Sequence, residues 1–301
     1  MALMSKLPTA LSPGQRQLTI SIEGTSIRVM VCHGRRVETW ASVPFPTHLL
    51  RNGFVANPGG VGEALKLALK NSGTAKGPAV AALSGLQTMS RIITLPSMGK
   101  SQIRAALPRE VKRLMPFSGD NTYVQWQALP GSSARKQFFV LAVPKEPTLS
   151  LIESLASAGV KVRSLDARPM ALARAVNVDN AIVACVENIT IDIVIVVQGI
   201  PVVSRSLLTG EQPVTSDEAL PRLLDELGRS LSFYNSTFRD NPLPADLPIY
   251  LCGVLSRSGM APAVSDALAR PVMRPAPPLT YPSHWPVEEF TVNAGLALKA
   301  L

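Results

Sequence analysis

Apolar residues dominate positions 17–22, 26–32 and 36–43, with short polar turns between the runs. Gly24 and Thr25 mark the first turn. This pattern predicts a meander of three strands. In 59–70 (GGVGEALKLALK), Val61, Leu65 and Leu69 recur every four residues, which predicts an amphipathic helix, and 79–83 follows as an apolar strand. The same order then returns. Residues 181–187, 192–197 and 201–207 predict strands, and 216–238 a long helix with Leu220, Leu223, Leu224, Leu227 and Leu231 on one side; 249–252 is the next strand. A β-β-β-α-β order that occurs twice is an internal repeat of topology and predicts two lobes.

A different module lies between the repeats. Ile103, Leu107, Val111 and Leu114 predict a helix over 101–115, with Pro108 marking a kink or a late start. Strands follow at 123–129 and 137–143, a helix at 147–158 with Leu149, Ile152 and Leu155, and a short strand at 160–165. Residues 290–301 form a small-residue apolar helix. The fold class is α/β: an actin-like (ribonuclease-H-like) two-lobed fold with an α-β-β-α-β subdomain inserted in the first lobe. The expected organisation is a loose leader at 1–16, a first lobe at 17–97 and an inserted subdomain at 98–166. A first-lobe connection follows at 167–180, then a second lobe at 181–282 and a C-terminal helix at 283–301 that returns to the first lobe.

Composition narrows the class. At 301 residues the chain is too long for one compact core, and 46% hydrophobic against 17% charged residues marks it as globular. Residues 1–17 lack a long apolar segment and contain Lys6, Pro8 and Pro13, so no signal peptide is read there. The most apolar run, 189–203, is interrupted by Asp192, Gln198, Gly199 and Pro201 and is too short to span a bilayer. A cytoplasmic protein is expected. Cys32, Cys185 and Cys252 sit in β-like runs and read as buried free thiols. No His/Cys cluster has metal-ligand spacing. The net charge is +9, and much of it lies in 100–145, where Lys100, Arg104, Arg109, Lys112, Arg113, Arg135, Lys136 and Lys145 face only Glu110 and Asp120. Such an excess reads either as a solvated basic face or as a surface for an acidic partner, anionic lipid or nucleic acid.

Four segments, ALSGLQTMSRIITLPSM (82–98), EVKRLMPF (110–117), FVLAVPKEPTLSLIESLASAGVKVRSLDARPMALARA (139–175) and VNAGLALKAL (292–301), resemble in order the PilM family of type IV pilus assembly proteins, relatives of the cell-division protein FtsA. The resemblance runs from about residue 18 to the C-terminus. It implies an actin-like fold with ATP and Mg²⁺ between the lobes. It also implies a groove, between the first lobe and its inserted subdomain, for the N-terminal cytoplasmic peptide of a PilN-like inner-membrane protein. The family's first phosphate loop reads like Asp-Ile-Gly-Ser-Ser-Ser-Ile-Lys; here it is Ser21-Ile22-Glu23-Gly24-Thr25-Ser26-Ile27-Arg28. The second, Asp-Ile-Gly, is here Cys185-Val186-Glu187, and the glycine run of the adenosine motif is reduced to Gly253. The family's insert before the long second-lobe helix is missing, since 208–216 leaves room only for a short loop.

The nucleotide positions Ser21, Glu23, Thr25, Ser26, Cys185, Glu187 and Gly253 are therefore degenerate. No cofactor, metal ligand or catalytic residue is expected. The leading expectation is a non-catalytic scaffold, a pseudo-ATPase at the inner face of the cytoplasmic membrane. Met98, Arg109, Lys112, Arg113, Met115 and Phe117 are the candidates for the PilN-like peptide, with ordinary core packing the competing reading of the apolar ones. Contact with an anionic membrane surface and self-association are further expectations. An active ATPase that tolerates the altered loops is the alternative. Nucleic-acid binding through the basic subdomain is a third reading, against which no helix-turn-helix, zinc knuckle or aromatic-rich basic strand is present.

Overall fold

The computed structural model describes residues 16–74, 77–115, 121–129, 135–210, 212–257 and 259–299. The expected leader lies outside them apart from Arg16. The meander forms as β1 (Arg16–Glu23), β2 (Ser26–His33) and β3 (Arg36–Pro44), antiparallel throughout. A small hairpin, β4 (Leu50–Arg51) and β5 (Phe54–Val55), leads to α1 (Pro58–Asn71). The Asn57 side chain caps that helix by accepting from the Gly60 N–H at 2.9 Å, and Pro58 opens it without sacrificing a needed donor. Val61, Leu65 and Leu69 then face the sheet. β6 (Pro78–Leu83) runs parallel to β1.

The chain leaves the first lobe through β7 (Met89–Pro96), α2 (Lys100–Leu114), β8 (Thr122–Ala128) and β9 (Arg135–Pro144). It returns through α3 (Lys145–Ser157) and β10 (Lys161–Ala167) and crosses in α4 (Arg168–Val176). The second lobe repeats the plan in β11 (Ala181–Val186), β12 (Thr190–Val197), β13 (Ile200–Leu208), α5 (Ser216–Thr237), β14 (Ile249–Cys252), α6 (Met260–Leu268) and β15 (Val272–Met273). The last helix is α7 (Thr291–Leu298). The two large sheets have equivalent orders, β10-β6-β1-β2-β3 and β13-β12-β11-β14-β15.

The inserted subdomain begins and ends elsewhere than 98–166. Its sheet, in the order β7-β9-β8, includes β7, because Ile93 and Leu95 alternate inward onto α2 beside Phe138 and Val140. α3 packs on α1, and β10 pairs in parallel with β6, so both belong to the layers of the first lobe. Local periodicity identified these elements, but only strand pairing assigns them to a sheet.

α4 and α7 form the seam between lobes. Their apolar residues, including Ala171, Leu172, Val292 and Leu296, pack with Val80 of β6, Val183 of β11 and Tyr250 of β14 in one core. Burial at this seam leaves little space: a Cβ added at Gly295 would run into the Ala171 backbone. Arg174 fixes the same contact by donating to the Gly295 carbonyl at 3.0 Å. Gly295→Ala should lower the urea unfolding midpoint by the equivalent of about 1–3 kcal/mol, despite a helix-propensity gain of about 1 kcal/mol. An unchanged or raised midpoint would contradict this packing.

Candidate functional site at the interlobe cleft

Two tight turns meet between the lobes. One joins β1 to β2 through Gly24 and Thr25; the other joins β11 to β12 through residues 187–189. Gly24 has φ +59, which glycine adopts without steric cost, and a Cβ there would collide with the Ile189 side chain. The turns are therefore in direct contact across the cleft.

Glu23 and Glu187 lie at the bases of these turns, each 1% exposed. An isolated carboxylate at such depth would cost several kcal/mol, so each requires a cation. Arg28 on β2 reaches across to Glu187 as a two-pronged pair, Nη1 donating to Oε1 at 2.8 Å and Nη2 to Oε2 at 2.7 Å. It also donates to the Glu289 carbonyl at 2.8 Å and lies 3.3 Å from that residue's carboxylate. Arg168, the first residue of α4, stands between Glu23 of the first lobe at 2.5 Å and Asp192 of the second at 3.1 Å. Ser206 donates a hydrogen bond to Asp192. Two buried guanidiniums thus cross-link the lobes.

Burial by itself would pull the Arg28 guanidinium down, but Glu187 foremost, with Glu23 and Glu289, outweighs it and raises the pKa. Burial likewise opposes the charge on Arg168, and Asp192 and Glu23 lead the groups that raise it. Burial lifts Asp192 above its ordinary value, while Arg168 and Ser206 pull it back.

The remaining nucleotide-loop positions have structural partners. Ser21 donates to Asn293 Oδ1 at 2.9 Å, and the Asn293 amide nitrogen donates to the Thr19 and Arg28 carbonyls at 3.3 Å, which ties α7 to the meander. The Thr25 carbonyl accepts from Phe45 N–H at 3.0 Å, and Ser26 pairs with Pro44. Cys185 faces Cys252 on the neighbouring strand; a hydrogen bond between them and then burial raise the Cys185 thiol, although Arg168 opposes this. Burial, with Glu38, pushes the Cys32 thiol up to about 12, so it is protonated at neutral pH. Gly253 has φ +92 and lies against the Val186 backbone, where a Cβ has no room. An open cavity of about 330 Å³ lies to one side, lined by Gly85, Thr88, Ser204, Arg205, Ser206 and Glu226.

The partner candidates on the subdomain do not converge on one spot. Met98 is half-buried just before α2, and Met115 is buried just after it, both against the small core of Ile103, Leu107, Val111 and Phe138. About 1.5 Å per residue along α2 separates these two ends. Arg109, Lys112 and Arg113 are exposed on α2, with Arg113 paired to Glu110 at 2.7 Å. Phe117 lies outside the described residues. Sequence reasoning missed Arg28, Arg168, Asp192 and Glu289 as members of the cleft. The available signal was electrostatic: glutamates placed in apolar strand–turn segments demand buried cations.

Arg168→Met leaves Glu23 and Asp192 buried without their shared cation and should lower stability by about 3–5 kcal/mol in urea unfolding. The pH dependence has a definite sign. An acid whose pKa is raised by folding stabilises fully below its unfolded value, about 3.9 for Asp, and that contribution disappears as pH rises through the raised value. Asp192→Asn should therefore flatten the decline of the urea midpoint above about pH 4. A decline equal to that of the wild type would remove Asp192 as its source.

Comparison with known proteins agrees with this architecture. The profile of the family described as Type IV pilus assembly protein PilM matches residues 20–208. A solved chain from a PilM-PilN type IV pilus biogenesis complex is similar with TM-score 0.78 and 23% identity, covering 96% of this chain and 99% of that one. The ethanolamine utilization protein EutJ from Carboxydothermus hydrogenoformans is similar with TM-score 0.56 and 14% identity, over 96% of this chain and 91% of that one. The cytoplasmic domain of EpsL, an inner membrane component of the type II secretion system of Vibrio cholerae, gives TM-score 0.53 and 12% identity, over 95% and 94%. No curated protein matches the sequence. At these identities the solved structures share the fold, whereas the profile match covers most of the chain, including the first lobe, its inserted subdomain and the opening meander of the second lobe. The chain belongs to the PilM family of type IV pilus assembly proteins.

Proposed function

We propose that this chain is a non-catalytic scaffold of a type IV pilus-like assembly machine, with its lobes held together by buried ion pairs rather than by nucleotide. The crossed pairs Arg28–Glu187 and Arg168–Glu23, with Ile189 seated against Gly24, carry this reading. A phosphate between the turns would have to part Gly24 from Ile189 and then lie beside two carboxylates. Those carboxylates are already paired with Arg28 and Arg168, and drawing either guanidinium toward the phosphate would leave a buried carboxylate unpaired at a cost of about 3–5 kcal/mol. Micromolar affinity amounts to about 8 kcal/mol in all. The residues present do not fit ATP with Mg²⁺. Control by nucleotide would require a ligand that distinguishes two lobe arrangements, and this cleft offers it no place.

The partner in this reading is the N-terminal cytoplasmic peptide of a PilN-like inner-membrane protein. Membership in the PilM family and the fold shared with a chain of a PilM-PilN type IV pilus biogenesis complex support it. The protein then works in the cytoplasm at the inner membrane face. Among the described residues no helix is long and apolar enough to cross a membrane. Basic residues of α2 would add about 1 kcal/mol each near an anionic surface.

Calorimetry with ATP and Mg²⁺ should give no binding heat, and titration of the PilN-like peptide should give one affinity with or without ATP. A low-micromolar dissociation constant for ATP, or an ATP-dependent peptide affinity, would restore the ATPase reading. Arg109→Glu should weaken the peptide by about 1–3 kcal/mol if α2 borders its groove. Wild-type affinity in that variant would move the groove away from α2.

A further inference from the structure

Among the described residues, the outer edge of the inserted subdomain carries none of the usual protection against strand addition. Natural sheets guard exposed edges with charged residues, proline, bulges or very short strands. Among the described edge strands of the three larger sheets, β3 carries Arg36, Glu38 and Pro44, β10 carries Lys161 and Arg163, and β13 carries Pro201 and Arg205. β7 carries Arg91 and Pro96 and packs near β13. β15 has only two residues. β8, with the sequence TYVQWQA, has no charge and no proline, and it pairs with β9 without a register shift. No described strand lies on its other side.

The register shows which backbone groups face outward. Leu129 N–H donates to the Gln137 carbonyl at 2.8 Å and Lys145 N–H to the Asn121 carbonyl at 2.9 Å. Odd-numbered positions of this antiparallel pair therefore bond to β9, and the N–H and C=O groups of Val124 and Trp126 point away from it. Two aromatic side chains of this edge are exposed as well. Trp126 is 40% exposed, in edge-to-face contact with Phe138 5.5 Å away, on the face that α2 covers. Tyr123, 37% exposed on the opposite face, has the Lys145 ammonium 5.8 Å from its ring centre. α2 adds Lys100, Arg104, Arg109, Lys112 and Arg113 against Glu110 alone.

We propose that β8 is a docking edge for an extended acidic segment of a partner protein, which adds as a fourth strand to the subdomain sheet. Outward amides supply the ladder, alternate apolar side chains cover Val124 and Trp126 on the α2 face, and the acidic ones between them lie on the opposite face, where Lys145 stands over Tyr123, within the net positive field of the subdomain. A second copy of this chain would bring the same positive charge to the edge, so charge complementarity favours an acidic partner. The inference stands on the sheet edge and not on the state of the cleft.

The test uses the full chain and a capped peptide of about seven residues that alternates valine with glutamate, matching β8 at ~3.3 Å per residue. A lysine-for-glutamate peptide is the control. Amide hydrogen exchange should slow selectively at Val124 and Trp126, and the glutamate peptide should bind about tenfold or more tighter than the control, with the difference shrinking as salt rises. Val124→Pro removes an outward N–H while sparing the β9 ladder. It should keep a cooperative urea transition, with a midpoint lowered only by the lost Val124 packing, and lose affinity by about tenfold or more. The proposal fails if neither peptide binds, if Val124→Pro binds as well as the wild type, or if protection appears elsewhere. It also fails if the wild type is a dimer that Val124→Pro converts to monomer, or if a DNA oligonucleotide displaces the glutamate peptide from the edge.

Discussion

A charge buried at the lobe interface must find its opposite there, and this requirement organises the cleft. Glu23 and Glu187 enter the interior on the turns of two equivalent meanders, one in each lobe. Arg28 satisfies the carboxylate of the opposite lobe, while Arg168 on the connecting helix bridges Glu23 and Asp192. Separating the lobes would expose or orphan these groups together. Buried pairs of this kind add little net stability compared with well-packed apolar residues, yet breaking one partner is costly. These pairs are made with the lobes in this arrangement, and moving the lobes apart would break them together. The contact of Gly24 with Ile189 and the small-residue seam of α4 and α7 reinforce the same arrangement by shape.

This arrangement changes the meaning of the altered nucleotide loops. Each replacement has gained a structural partner: Ser21 holds Asn293 of α7, Glu187 receives Arg28, and Cys185 packs beside Cys252 and Arg168. Here the positions that resemble phosphate loops are filled by complementary charges. The inserted subdomain, with its own core of α2 against β7 and β9, is built apart from that cleft and presents its own surfaces.

The sequence by itself determined the elements and their repetition. Val61, Leu65 and Leu69 specified α1, the leucines of 216–238 specified α5, and the twofold β-β-β-α-β order specified two lobes, because side-chain periodicity is a local property of the chain. The altered loop residues were also legible as departures from a resembled pattern. Tertiary structure decided the rest. It placed β7 in the subdomain sheet and β10 in the first-lobe sheet, since hydrogen-bonded neighbours far apart in sequence leave no periodic trace. It also paired Arg28 with Glu187, 159 positions away, and Arg168 with both lobes. Burial signalled that Glu23 and Glu187 needed cations, but the choice among the chain's many arginines depended on which backbone positions the folded lobes bring within hydrogen-bond reach.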